Sequence, residues 1–329
     1  MTSDTVPLRS LGQTGLVVSR LGLGLAALGR PAYINLGRSD DIGLDRRVAE
    51  FERRTHAMLD AAHTAGIRYI DVARSYGMAE AFLRSWLKAR KLSRESLTIG
   101  SKWGYTYVGS WRVDAPVHEA KDLSVETLRR QIAESRALLG DWLRLYQIHS
   151  ATLESGVLDD PHVLEELAKL RDEGLAIGVT VSGPGQADVI RRALQVNVNG
   201  TNPFQVVQAT WNLLEPSAGP ALAEAKARGW GVIVKEALAN GRLSDRHSEG
   251  RVALLTEHAQ THGTTTDALA LAAALSQPWA DVVLSGAVTV EQLGSNLNAI
   301  SLAEAGSDWP MLAEPASEYW GKRSARQWE

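Results

Sequence analysis

The chain has 329 residues, 44% of them hydrophobic and 22% charged, and 35 basic against 38 acidic side chains give a net charge of -3. Such a balance belongs to a folded protein with a sizeable core and excludes both a disordered polyelectrolyte and a concentrated basic face for nucleic acid. Cysteine is absent, which removes disulfides, thiolate metal sites and cysteine nucleophiles together.

In chain order, Met1 to Pro7 carries no basic segment followed by an apolar one, and the longest apolar run, Ala268 to Leu275, is too short for a bilayer. A cytoplasmic protein without membrane contact is expected. Residues 7–18, with Gly12-Gln13-Thr14-Gly15 between Leu11 and Val17-Val18, predict a β-hairpin that could plug a barrel floor. Strands are predicted at Leu21–Leu25, Ile67–Asp71, Leu97–Lys102, Leu143–His149, Ala176–Val181, Gln205–Trp211, Gly231–Lys235 and Asp281–Ser285. Helices are predicted between them at Arg54–Ala65, Ala79–Ala89, Val125–Leu139, His162–Arg171, Gln186–Leu194, Ala218–Ala227 and Thr265–Ser276. In the third, Ser124 can cap, Leu128, Ile132, Ser135 and Leu139 share one face, and Gly140 stops the helix.

Strict alternation of β and α units predicts a parallel sheet covered by helices. Eight units and no shift in composition favour an α/β fold of the (β/α)8 barrel type, a single domain over residues 1–329, over an open doubly wound sheet. Outside the repeat lie a long connection, Leu28 to Phe51, and a Trp-bearing C-terminal tail, 301–329. Such long segments at the C-terminal rim are candidate lids, as is Tyr105 to Lys121. Trp103, Tyr105, Tyr107 and Trp111 crowd that third loop and suggest either an aromatic pocket or loop packing.

Four polar residues fall at or just beyond predicted strand ends: Asp71, Tyr76, Lys102 and His149. An acid, a phenol, an amine and an imidazole on one barrel rim are the parts of a proton-transfer site. Singly, each has an ordinary reading as a turn, packing or core residue. Lys102 needs a buried partner, and Asp71 on the preceding strand is the natural one. Gly22, Gly24 and Gly29 fail the dinucleotide-fingerprint spacing, and His118-Glu119 with Asp122 lacks metal-site spacing, so no metal is expected.

The segments Ile67-Arg68-Tyr69-Ile70-Asp71-Val72-Ala73-Arg74-Ser75-Tyr76-Gly77, Gly100-Ser101-Lys102-Trp103-Gly104 and Leu145-Tyr146-Gln147-Ile148-His149-Ser150 resemble motifs of the aldo-keto reductase superfamily. The resemblance runs from about Leu8 to Ile300. It implies a (β/α)8 barrel that binds NADP, with NAD possible, and interconverts a small-molecule carbonyl of an aldehyde, ketone or sugar with its alcohol. Tyr76 would be the general acid, its pKa lowered by Lys102, with Asp71 holding Lys102 and His149 orienting the carbonyl oxygen.

The resemblance also implies a cofactor site. Ser182, Gly183 and Gln208 would meet the nicotinamide carboxamide, and Trp211 would stack on the ring. Lys235, Glu236, Leu238, Asn240, Gly241 and Arg242 would form the pyrophosphate loop, with Lys235 and Arg242 serving the phosphates and Glu236 pointing away or pairing with a cation. Gly286, Gln292 and Asn296, at the start of the final helix, would meet the adenosine.

Two alternatives share the barrel. Lys102 or Lys235 could serve a Schiff-base aldolase or lyase, against which Asp71 argues by keeping Lys102 charged. A cofactor-sensing regulatory subunit with little turnover is the other. Substrate identity and oligomeric state are not legible in the sequence.

Overall fold

The computed structural model describes residues 6–247, 250, 252–306, 309–310 and 312–328. Met1 to Thr5, part of the segment on which the absence of a leader was expected, and Ser307 in the tail lie outside them. Among the described residues no helix is long and apolar enough to cross a membrane.

Eight parallel strands close into a barrel: β3 (Leu21–Gly24), β4 (Tyr69–Asp71), β5 (Thr98–Trp103), β8 (Leu143–Ala151), β9 (Ala176–Val181), β10 (Val206–Thr210), β11 (Gly231–Lys235) and β12 (Val282–Ser285). They pair in chain order, and β12 closes on β3. Each is a short apolar run that buries both faces, as expected of a parallel sheet wrapped by helices. Two strand pairs lie outside: β1 (Leu8–Ser10) with β2 (Val17–Ser19), and β6 (Tyr105–Tyr107) with β7 (Glu119–Lys121), both antiparallel.

The β1–β2 hairpin plugs the barrel floor. Leu11, Leu16 and Val18 pack against Tyr69, Val206 and Val282, which open β4, β10 and β12. Burial of each such side chain stabilises the closure by about 1.5–3 kcal/mol. Gly12 makes the approach possible: at φ 51, a Cβ there would lie 2.3 Å from Gly231 N.

The helices follow the apolar periodicity. Val125–Leu139 forms as predicted, with Ser124 Oγ accepting from Thr127 N. Pro161–Asp172 is capped by Asp160 and Thr266–Leu275 by Thr265. The second helix of the chain begins earlier than expected, at Val48, so the connection after β3 is shorter than the sequence suggested and carries its own short helix, Arg38–Ile42. Helices at Val252–Thr261, Ala299–Ala305 and Ala316–Ser324 were not predicted; the last folds the tail back over the barrel.

Candidate active site

The register places the four polar residues on one rim. Asp71 ends β4 opposite Gly100 on β5, and Lys102 lies two residues further along β5. Lys102 Nζ is ion-paired with Asp71 Oδ1 and donates to Val72 O at 3.1 Å and to the Tyr76 hydroxyl at 3.3 Å. Asp71 Oδ2 accepts from Tyr69 at 3.2 Å and from Gln208 at 2.9 Å, so both carboxylate oxygens are engaged. Gly100 leaves room for this: a Cβ there would sit 2.4 Å from the Tyr69 hydroxyl.

Tyr76 lies in the turn after β4, where its amide donates to Ala73 O and the neighbouring Arg74 amide donates to Lys102 O. Gly29 backs that turn. A Cβ on Gly29 would collide with Tyr76 O, which gives the glycine a packing reason unrelated to any phosphate loop. His149 sits where the β8–β9 register breaks between Ile148 and Ala151, with Ser150 at φ 55. Such a bulge re-aims a side chain, and His149 faces the Tyr76 ring edge-on at 5.6 Å and approaches Ser75 Oγ at 3.5 Å through Nδ1.

Electrostatics fix the resting protonation states. Burial, and then the charge on Lys102, hold the His149 imidazole well below its ordinary range, so it is neutral. Burial first, and then Asp71, push the Tyr76 phenol well above 10, with Arg30 opposing and Glu119 and Glu236 adding to the rise. The net shift on the phenol is therefore upward, burial and Asp71 outweighing the cations around it, and the resting phenol is protonated. Lys235 is brought down to about 8 by burial, with Arg323 and Lys102 adding to the fall.

Tyr76 and His149 open onto a cavity of about 1110 Å³ that extends to Gln292 and Asn296. Ser182, Gly183, Gln208, Lys235, Glu236, Leu238, Asn240, Gly241, Gly286, Gln292 and Asn296 line it, as expected. Two expected residues do not. Trp211 is buried against Trp279, ring centroids 5.7 Å apart, with its indole nitrogen beside Gly219 at the start of the helix Gly219–Ala227. Arg242 is committed to Glu314 of the tail, with Nη1 to Oε2 at 2.9 Å, and is off the cavity wall.

Glu236 does pair with a cation, Arg323 of the tail helix Ala316–Ser324. Burial would raise its pKa, but Arg323 and Lys235 outweigh that and hold the carboxyl near about 2. Glu236, Ala239 and Asn240 all have positive φ, strained backbone of the kind that clusters at functional sites. The connection after β3 straps across it through Leu36 N to Asn240 O at 3.1 Å.

A family model described as "Aldo/keto reductase family" matches residues 20–314. The chain belongs to that family. It is 26% identical over 327 residues to L-galactose dehydrogenase of Arabidopsis thaliana, covering 94% of this chain and 93% of that one. It is 25% identical to NADH-specific methylglyoxal reductase of Escherichia coli, covering 93% and 97%. A solved aldo-keto reductase of Pseudomonas aeruginosa superposes with a TM-score of 0.66 at 26% identity, over 92% of this chain and 98% of that one. As a member of the family, the chain is an NAD(P)H-dependent oxidoreductase that interconverts a carbonyl compound and its alcohol.

The cavity fits the nicotinamide cofactor of this aldo-keto reductase. It holds about 1110 Å³ and is lined from Tyr76 to Gln292, and the buried Asn240 Oδ1 on its wall has no protein partner. Sequence reasoning missed several wall residues: Arg30, Asp41, Glu119 and Arg323 come from four separate segments outside the barrel strands, and nothing in their local spacing signals convergence. Of the aromatic third loop, only Tyr105 reaches the cavity. Trp111 packs edge-on against Phe51 and donates to Arg46 O, and Trp103 is core, so that cluster is chiefly loop packing.

Proposed function

We propose that Tyr76 is the proton donor for carbonyl reduction, that Lys102 and Asp71 hold its hydroxyl, that neutral His149 orients the substrate oxygen, and that the substrate is a polyhydroxylated carbonyl compound such as an aldose. The observation that carries this reading is the Lys102 ammonium, in contact with Asp71 and 3.3 Å from the hydroxyl of Tyr76 on the cavity wall.

When bound, the nicotinamide cofactor supplies hydride to the substrate carbon or takes it back. The protein's part is the proton. As charge develops on the substrate oxygen, the Tyr76 O–H transfers its proton there, and Lys102 stabilises the phenolate left behind. A neutral imidazole at His149 can donate a hydrogen bond without competing as an acid. In the reverse direction the phenolate takes the alcohol proton.

Polar groups on the wall near His149, among them Glu119, Lys121, Thr152 and Glu236, suit a substrate rich in hydroxyls, and the Trp320 and Tyr105 rings offer flat apolar faces. L-Galactose dehydrogenase among the relatives supports a sugar substrate. Toward the cofactor, NADPH and NADH are both within the reading: Gln292 Nε2 donates to Asp41 Oδ2 at 2.8 Å, and Arg246, a cation on that wall, is already ion-paired with Asp41. The test is a spectrophotometric screen of NADPH and NADH oxidation with aldehydes and ketones, and of NADP and NAD reduction with aldoses. Turnover highest with aldoses supports the substrate assignment; turnover confined to small unsubstituted aldehydes overturns it.

A further inference from the structure

One buried charge near the proton donor has no part in that scheme. Arg30, 2% exposed, follows β3, and its guanidinium lies 5.1 Å from the centroid of the Tyr76 ring. The same group lies 4.9 Å from the Tyr33 ring and 4.6 Å from Trp328 of the tail. Its N–H groups donate to Ala26 O at 3.1 Å, Ser75 O at 3.0 Å and Glu119 Oε1 at 2.7 Å. A planar, weakly hydrated cation is suited to such a box, where an ammonium would lack both the flat contact and the fork of donors.

We propose that Arg30 is a positioning residue for the reaction: held against the face of the Tyr76 ring, its charge stabilises the phenolate, so the proton donor is tuned from the ring face as well as through its hydroxyl. This rests on Tyr76 being the proton donor. The physical case is one of balance. Lys102 touches the hydroxyl but is matched at contact by Asp71, whose negative charge opposes ionisation of Tyr76. Glu236, after β11, also opposes it, and is matched by Arg323. His149 on β8 is neutral, and Tyr33 contributes no positive charge. Lys102 Nζ and the Arg30 guanidinium lie 4.9 Å and 5.1 Å from the ring centroid; Lys102 is matched at contact by Asp71, so Arg30 supplies the further positive charge at the ring, with Glu119 on β7 as its counterweight.

Two substitutions of opposite sign test this. Alcohol oxidation needs the phenolate, so below the phenol's pKa its kcat/KM climbs with pH. Arg30→Met is expected to displace that limb upward by about one pH unit, the shift a cation at this range produces, and so to lower oxidation about tenfold at fixed pH. Glu119→Gln is expected to displace it downward, and Arg30→Lys to restore part of the wild-type position. Because Arg30 also lines the cavity, the limbs are compared at saturating cofactor, so that any change in cofactor affinity is kept apart from the shift in the limb. A limb that stays in place in both Arg30→Met and Glu119→Gln, with only KM altered, leaves Arg30 as an anchor for the tail and overturns the proposal. Should Arg30→Met fail to fold, an unmoved limb in Glu119→Gln overturns it alone. Tyr76→Phe separates the two ideas: full turnover in that variant would reject the proton donor itself, whereas loss of turnover together with unmoved limbs would reject only the role of Arg30.

Discussion

Gln208 Nε2 donates to Asp71 Oδ2 across 2.9 Å and so ties the sixth barrel strand to the second beneath the site. With Tyr69 on the same oxygen and Lys102 on the other, Asp71 is an anion whose every face is engaged, at 2% exposure. Asp71→Asn keeps the shape and removes the charge, leaving a buried ammonium without its counter-ion. The expected cost is about 3–5 kcal/mol in chemical denaturation and about 10²–10⁴-fold in turnover. A stable, active Asp71→Asn variant would show that the ion pair organises nothing.

His149 carries a pH prediction with a definite sign. Its folded pKa lies well below the ordinary 6.5, chiefly through burial, so above 6.5 it is neutral in the folded and unfolded chains alike. As pH falls below 6.5 the unfolded chain takes up a proton that the folded chain refuses, and stability declines. Thermal midpoints across this range should fall for the wild type and fall less for His149→Asn, and carbonyl reduction should show no inflection near 6.5. An inflection there, abolished by His149→Asn, would mean that the imidazole titrates normally.

Asp41 bears on the choice of cofactor. Its carboxylate meets Gln292 and Arg246 at the far end of the cavity, where the adenosine is placed under the proposed cofactor pose. A 2′-phosphate there would face this charge. Asp41→Asn should raise the NADPH-to-NADH ratio of kcat/KM about tenfold, the equivalent of roughly 1.4 kcal/mol of relieved repulsion. An unchanged ratio would put the 2′ position elsewhere.

The tail is part of the site. Arg323 on the helix Ala316–Ser324 pairs with Glu236, and Asn212 Nδ2 reaches the Tyr319 hydroxyl at 3.0 Å. Arg323→Ala removes the cation in contact with the largely buried Glu236, leaving only the charge on Lys235 beside it, at a cost of about 1–3 kcal/mol. Because Trp320 on the same helix lines the cavity, the expected signature is a raised KM for the carbonyl substrate. Equal KM and stability in the variant would detach the tail from substrate binding.

Much of this was legible beforehand because it is encoded in short-range pattern. Eight apolar runs, the hairpin glycines and the cap at Ser124 each act through local geometry, and the strand ends carried Asp71, Lys102 and His149 to one rim by topology alone. What escaped the sequence depends on long-range convergence. Arg30 meets Glu119 and Trp328 only after three separate segments, the connection after β3, strand β7 and the tail, fold together. Trp211 shows the opposite failure: its position after β10 looked like a ring-stacking site, but the side chain turns out against Trp279. Arg242 was expected to bind phosphate from the resemblance of its loop, and its pairing with Glu314, 72 residues away, leaves no trace in that local pattern.

The most direct test is Tyr76→Phe, which removes one oxygen from the ring that Lys102 addresses at 3.3 Å and leaves the cavity otherwise intact. Carbonyl reduction is predicted to fall by about 10²–10⁴-fold, the usual worth of a positioned general acid, while tryptophan-quenching titrations give unaltered cofactor affinity. Undiminished reduction by that variant would contradict the account.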